Sequence, residues 1–141
     1  MRILLCLWIV FMLVGMCTSD VFAFLLEGKV NFRFTSEVHF AELFHVKPLQ
    51  AVSKLELIGH FGMFFILAGL LSAVLKNTIS VVLFTLFFGA GTEILQLFFN
   101  RGTSPYDFLA NTAGVLLFLL CRKIWKEEMG RIRKERKVWE I

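Results

Sequence analysis

Four long apolar stretches constrain the fold of this chain more than any other feature. They cover about residues 3–26, 57–75, 79–99 and 106–121, and a membrane-spanning helix needs about 20 mostly apolar residues. Hydrophobic residues make up 57% of the 141 positions, including 17 phenylalanines. A soluble domain of this length cannot bury that much apolar surface, and a disordered chain does not contain it. The pattern predicts an all-α integral membrane protein with four transmembrane helices in an antiparallel bundle.

Basic residues are concentrated after the last apolar stretch and give the bundle a predicted orientation. Segment 122–141 carries eight of them, Arg122, Lys123, Lys126, Arg131, Arg133, Lys134, Arg136 and Lys137. The positive-inside rule places this tail in the cytoplasm. Counting back across four spans puts both termini inside and the loop 27–56 outside. Because the charge lies at one end of a lipid-embedded chain, we expect membrane lipids and no nucleic acid as partners.

The tail has two interpretations. Trp125, Met129, Ile132 and Trp139 fall near one helical face among the basic residues, which predicts a cytoplasmic amphipathic helix resting on anionic lipid. The alternative is a solvated tail that only fixes the topology.

The first apolar stretch and the cysteines also allow simple predictions. A secretory signal that is cut after Ala23 is the alternative to a retained first span. The three cysteines lie in apolar stretches without a CxxC spacing, so we expect inert thiols rather than a zinc site or disulfides. No metal or other cofactor is predicted.

In the loop, "VNFRFTSEVHF" alternates apolar and polar residues, which predicts a short strand or a segment that rests on the membrane.

Polar residues enter the third and fourth spans at helical spacing. Gly89, Glu93, Gln96 and Asn100 recur at i, i+4, i+7 and i+11, and Asp107, Asn111 and Gly114 at i, i+4 and i+7. At 1.5 Å per residue, Glu93 and Asn111 each lie about 9 Å from their helix ends at the outer turn. A charged group at the centre of a span costs at least about 2.5 kcal/mol, so these groups are expected to face one another inside the bundle.

The four-span topology brings one further residue to this end, because His60 opens the second span there. The predicted functional cluster therefore comprises His60, Glu93, Gln96, Arg101, Asp107 and Asn111. Each member also has a structural interpretation. Asp107 could cap a helix that begins at Ser104 and Pro105, Arg101 could anchor the interface, and Glu93, Gln96 and Asn111 could link helices. His60 could lie at head-group level without a special role, and Gly89 and Gly114 are predicted to allow close helix packing.

At this point the chain resembles the VanZ-like family of small bacterial membrane proteins. The resemblance covers about residues 54–121 and is carried by "ELIGHFGMFF" and "GTEILQLFFNRGTSPYDFLANTAG". The order E-x-x-Q, arginine, D-x-x-x-N and glycine matches Glu93, Gln96, Arg101, Asp107, Asn111 and Gly114. One departure is Phe118, where many members have a second glycine. The resemblance implies a multi-span protein of the bacterial cytoplasmic membrane and an association with resistance to the glycopeptide teicoplanin.

Three functions are compatible with these residues. The first is a non-enzymatic envelope protein whose outer-leaflet polar site binds a lipid head group, a lipid-linked cell-wall precursor or a glycopeptide, with Arg101 pairing with phosphate or carboxylate. The second is an intramembrane enzyme on envelope lipids, with His60 and Glu93 or Asp107 as acid and base. The third is a structural subunit of a larger assembly.

Overall fold

The computed structural model describes residues 1–46, 48 and 52–139, and these form a helical bundle. Its helices are α1 (Arg2–Cys17), α2 (Val21–Glu27), α3 (Lys54–Val74), α4 (Thr78–Phe98) and α5 (Pro105–Trp139), with a short 3₁₀ helix at Phe40–Phe44. Among the described residues, α3, α4 and α5 are long and apolar enough to cross a membrane, and α1 is a shorter apolar helix. The predicted all-α membrane bundle is confirmed.

The sides of the bundle carry the apolar surface that lipid requires. Large hydrophobic side chains are exposed on every long helix, for example Ile3 at 78%, Phe87 at 75% and Leu116 at 60%. An exposed apolar belt of this extent is unusual for a soluble monomer but is what a bilayer accommodates. The interior holds a small core centred on Met12, Met16, Phe64, Leu67, Ala68, Leu71, Val81 and Val115.

The first span differs from the sequence prediction, because the helix does not run continuously over 3–26. It ends at Cys17, and Thr18 adopts an extended conformation with ψ 138°. Asp20 then starts a second helix, and its side chain accepts a hydrogen bond from the Ala23 backbone N–H at 2.9 Å. Sixteen residues extend about 24 Å, which is less than the hydrocarbon thickness of about 30 Å. The polar residues 18–20 therefore break the helix near its predicted outer end.

Helices α3 and α5 form the closest pair in the bundle, although they run parallel and are separated by α4 in the sequence. Gly114 lies directly against the backbone of α3, where a Cβ atom would overlap the Phe61 carbonyl oxygen. One turn further along, Phe118 packs edge-on to Phe65 at 5.7 Å between ring centroids. The Phe118 ring also lies 3.3 Å from where a Cβ of Gly69 would be. A glycine on α3 thus makes room for the phenylalanine on α5.

The loop after α2 packs onto the end of the bundle, and of the two structures predicted for its alternating segment, a strand or a segment that rests on the membrane, the strand was wrong. No residue of the described part of this loop is in a strand. Phe32 and Phe34 both pack against Phe99, and the Thr35 backbone N–H donates to the Phe98 carbonyl at 2.8 Å. The alternating pattern therefore reflects an extended segment that places alternate phenylalanines against Phe99, directly after the end of α4.

The tail is helical, and it continues the fourth span without interruption. Helix α5 has 35 residues, or about 52 Å at 1.5 Å per residue, whereas a span uses about 20. This continuity favours a tail that leaves the membrane along the helix axis over one that turns to lie on lipid. Trp125, Met129 and Ile132 are exposed, and the side chain of Trp139 lies outside the described part of the chain.

Candidate functional site

The six residues of the predicted cluster lie at one end of the bundle, which we call the polar end. It comprises the end of α4, the α4–α5 turn (99–104), the start of α5, the start of α3 and the end of α1. His60 is on α3, Glu93 and Gln96 are on α4, and Asp107 and Asn111 are on α5. These five side chains are buried, with exposures between 1% and 6%. Arg101 lies in the turn, and its side chain is 11% exposed.

Asn111 connects three helices through one amide group. Its Oδ1 lies 3.0 Å from His60 Nδ1 on α3, and its Nδ2 donates to Glu93 Oε1 on α4 at 3.2 Å. His60 Nδ1 and the same glutamate oxygen are 3.9 Å apart. The amide thus orients both the imidazole and the carboxylate. Gly89 leaves space for it, since a Cβ there would lie 3.6 Å from Asn111 Nδ2 and 3.3 Å from the Phe64 ring.

Arg101 contacts the end of α1 rather than this buried group. Its Nη1 donates to the carbonyl oxygens of Gly15 and Met16 at 2.9 and 3.0 Å, with a longer contact of 3.4 Å to that of Thr18. Its Nη2 donates to Glu56 Oε1 at 3.2 Å. The last carbonyls of a helix lack partners within the helix and carry partial negative charge. The guanidinium therefore caps α1 and links it to α3.

Several buried polar atoms at this end have no hydrogen-bond partner among the described residues. They are Glu93 Oε2, Gln96 Nε2, Thr103 Oγ1 and Asp107 Oδ1. An unpaired buried polar group costs about 1–3 kcal/mol, so the polar end contains more polarity than the helix contacts require. Capping of α5 does not account for the unpaired carboxylate oxygen of Asp107. Ser104 Oγ accepts from the Tyr106 N–H at 3.3 Å, but Asp107 Oδ1 has no partner among the described residues. In the described part of the chain, no group of three or more His, Cys, Asp or Glu side chains could hold a metal ion.

A groove of about 180 Å³ opens between α1, α2 and α3, beside the buried group. Its walls are mostly apolar and include Phe11, Phe24, Leu25, Ile58 and Met63. Three polar side chains also line it, Glu56, His60 and Arg101. His60 thus connects the amide-linked group to the groove. We refer to this feature as the apolar groove.

A second cavity, of about 320 Å³, adjoins the apolar groove and has a polar lining. It contains Ser19, Asp20, Asn31, Arg33 and Ser53, and it shares Val21, Leu55 and Glu56 with the groove. The segment 18–20, where the helix is broken, supplies part of this lining, and the loop supplies Asn31 and Arg33. The cavity, which we call the polar mouth, combines both charge signs with hydroxyl and amide groups.

Sequence reasoning missed two parts of this arrangement. Glu56 was not part of the predicted cluster, although it lies one turn before His60, pairs with Arg101 and lines both the groove and the mouth. Its spacing from His60 was the signal that could have identified it. No sequence pattern indicates that the α1 carbonyls bind Arg101, because every residue has a backbone carbonyl.

The comparisons with known proteins agree with this architecture. Residues 2–126 match the VanZ/LLP1 family. The chain belongs to this family. The "Uncharacterized membrane protein YwnJ" of Bacillus subtilis (strain 168) is 32% identical over 125 residues, which cover 83% of this chain and 86% of that protein. No solved structure matches the chain.

The VanZ/LLP1 match is wider than the region 54–121 on which the resemblance rested, because it includes α1, α2 and the loop. The contacts of Arg101 with Gly15 and Met16 therefore join two parts of the family region. The apolar groove and the polar mouth also lie entirely within it.

Proposed function

We propose that this VanZ/LLP1 membrane protein binds an amphiphile of the bacterial cell envelope at its polar end. The hydrocarbon part occupies the apolar groove and the polar part occupies the polar mouth. A lipid or a lipid-linked cell-wall precursor is the ligand class, and the outer leaflet is the side on which binding takes place. By holding such molecules, the protein contributes to resistance against glycopeptides or other envelope stress.

The observation that carries the proposal is the shared wall between the two cavities. The apolar groove and the polar mouth meet at Val21, Leu55 and Glu56, so an apolar compartment and a polar compartment adjoin. Binding sites combine apolar walls with a few polar groups that fix orientation. Only an amphiphile matches both compartments, since a soluble head group alone leaves the groove empty and a hydrocarbon alone leaves the mouth unused.

The contacts of Arg101 change its role in this proposal. The guanidinium already donates to α1 carbonyls and to Glu56, so a phosphate or carboxylate reaches it only by competing with Glu56. We assign Arg101 the task of holding α1 and α3 at the separation that forms the groove. Arg33, which lines the mouth, is the better partner for an anionic head group.

Two glycines on α3 offer a matched test. Gly59 lines the apolar groove, whereas a Cβ at Gly62 would meet nothing within 4 Å. Gly59→Leu fills the groove, and Gly62→Leu places the same side chain on the same helix at a position that does not line the groove. Native mass spectrometry of the gently solubilised protein is expected to show bound lipid in the wild type and in Gly62→Leu, and at least tenfold less in Gly59→Leu. Equal lipid retention in both variants would refute the groove as the site.

The proposed contribution to glycopeptide resistance is tested in cells. Cells that carry either variant at normal expression level are challenged with teicoplanin. Gly59→Leu is expected to raise susceptibility to that of cells lacking the protein, and Gly62→Leu is expected to behave as wild type. If Gly59→Leu loses lipid but keeps resistance, the binding site has no part in resistance.

One observation favours a second candidate, an intramembrane enzyme that acts on envelope lipids. His60 lines the groove while Asn111 and Glu93 orient its ring from behind, an arrangement that suits acid–base catalysis. Turnover of a labelled envelope lipid by the purified protein, abolished in Glu93→Gln, would support the enzyme. Retention of the lipid without turnover supports the binding protein.

A further inference from the structure

The hydrogen-bond chain behind His60 fixes which of its nitrogens carries the proton. Asn111 Nδ2 donates to Glu93 Oε1 at 3.2 Å, so the oxygen of the same amide is the atom that faces His60 Nδ1 at 3.0 Å. An amide oxygen only accepts. In the neutral imidazole the proton therefore lies on Nδ1, and Nε2 is left with a lone pair as an acceptor.

In the described part of the chain, this second nitrogen has no hydrogen-bond partner. Among the described residues no hydrogen bond involves His60 Nε2, and it is also absent from the polar atoms that are fully enclosed. His60 lines the apolar groove. A hydrogen bond to an acceptor in such an apolar place is stronger than the same bond in water, because the surroundings have a low dielectric constant. The nearby polar groups of the wall, Glu56 and Arg101, are bonded to each other.

The position of His60 along α3 defines where the donor must be. Glu56 lies at the boundary between groove and mouth, and His60 follows it at i+4, about 6 Å deeper along the helix. A head group sits in the mouth and a chain in the groove, so a donor at His60 belongs to the junction between them. The groove volume of about 180 Å³ is below the 300–1,000 Å³ of typical small-molecule sites, so the groove suits one chain better than two.

We infer that His60 selects a single-chain amphiphile that carries a free hydroxyl group at the junction of its chain and its head group. The hydroxyl donates to His60 Nε2, and the imidazole is held for this contact by Asn111 and Glu93. Lipids in which this hydroxyl is esterified lack the donor and add a second chain. The inference rests on the proposed function, since it names the ligand class of the same groove.

A pair of lysolipids isolates this contact. Lysophosphatidylcholine has one donor, the hydroxyl beside its acyl chain, because neither choline nor an ionised phosphate donates. Its 2-deoxy analogue differs only by the loss of that hydroxyl. Binding of each probe is titrated by native mass spectrometry for wild type, His60→Leu and His60→Gln. Glutamine keeps an acceptor and leucine does not, so the two variants separate loss of the contact from loss of the fold.

The expected result is a preference of the wild type for the hydroxyl probe by roughly two- to tenfold, the effect of one net hydrogen bond. The preference disappears in His60→Leu and is at least partly restored in His60→Gln. Equal binding of the two probes by the wild type, or an unchanged preference in His60→Leu, overturns this inference and leaves amphiphile binding intact. If Gly59→Leu binds both probes as tightly as the wild type, the groove itself is refuted.

Discussion

At the scale of single residues, Asn111 provides hydrogen-bond partners for two buried ionisable side chains, His60 and Glu93. Its amide faces His60 with the oxygen and Glu93 with the nitrogen, so one neutral side chain meets a donor and an acceptor on different helices. These two hydrogen bonds offset part of the cost of burying the imidazole and the carboxylate. The same side chain also determines the direction in which His60 presents its free nitrogen.

Replacing Asn111 tests this dependence. Asn111→Leu leaves His60 Nδ1 and Glu93 Oε1 unpaired, and we expect the free energy of unfolding in detergent to fall by about 2–4 kcal/mol. The neighbouring Thr112 is the control, because its hydroxyl bonds within its own helix, to the Phe108 carbonyl. Thr112→Val is expected to change stability by less than about 1 kcal/mol. Similar losses in both variants would show that the amide network has no special role.

Arg101 is expected to hold the end of α1 in place. Cys17, the last residue of α1, is buried beside it. In a protein with Cys6→Ala and Cys121→Ala, Arg101→Ala frees α1, and a water-soluble maleimide is expected to label Cys17 at least tenfold faster. Arg33→Ala, which changes an exposed arginine of the loop, is the control and leaves Cys17 protected. Protection of Cys17 in Arg101→Ala would mean that α1 is held by its apolar contacts alone.

At the scale of the elements, the sequence predicted the helices better than their pairing. Hydrophobic runs indicate which segments enter lipid, and the short turns at 75–77 and 99–104 indicate antiparallel neighbours. Neither signal reports contacts between α3 and α5, which are distant in sequence. The break of α1 was visible as polar residues 18–20, but its stabilisation by Arg101 depends on tertiary structure. Likewise, the groove forms between α1, α2 and α3, and no local pattern encodes it.

Two glycines of α5, Gly114 and Gly130, are expected to change the melting temperature in opposite directions when each is replaced by alanine. Gly114→Ala places a methyl group against the Phe61 carbonyl, whereas an added Cβ at Gly130 meets nothing within 4 Å. We expect Gly114→Ala to lower the melting temperature, since the helices must separate. Gly130→Ala raises it slightly, because alanine favours a helix over glycine by about 1 kcal/mol. Two shifts of the same sign in thermal unfolding would argue against close packing at Gly114.

At the scale of the whole molecule, the charge asymmetry predicts an orientation. By the positive-inside rule, the polar end is predicted to face outward and the basic end of α5 to face the cytoplasm. Glu37→Cys in the loop and Glu135→Cys in the tail, each in a cysteine-free protein, report the two sides. A membrane-impermeant maleimide is expected to label the loop cysteine in intact cells and the tail cysteine only after lysis. The reverse pattern would place the polar end in the cytoplasm.

The central claim, that the apolar groove holds the chain of an amphiphile, is tested most directly by photo-crosslinking in membranes. A lysolipid with a diazirine in its acyl chain is irradiated with the protein, and the modified peptides are identified by mass spectrometry. The account predicts crosslinks concentrated on groove residues such as Phe24 and Met63, lost in Gly59→Leu and retained in Gly62→Leu. Crosslinks spread evenly over lipid-facing residues such as Phe84 and Phe87, unchanged by Gly59→Leu, would contradict it.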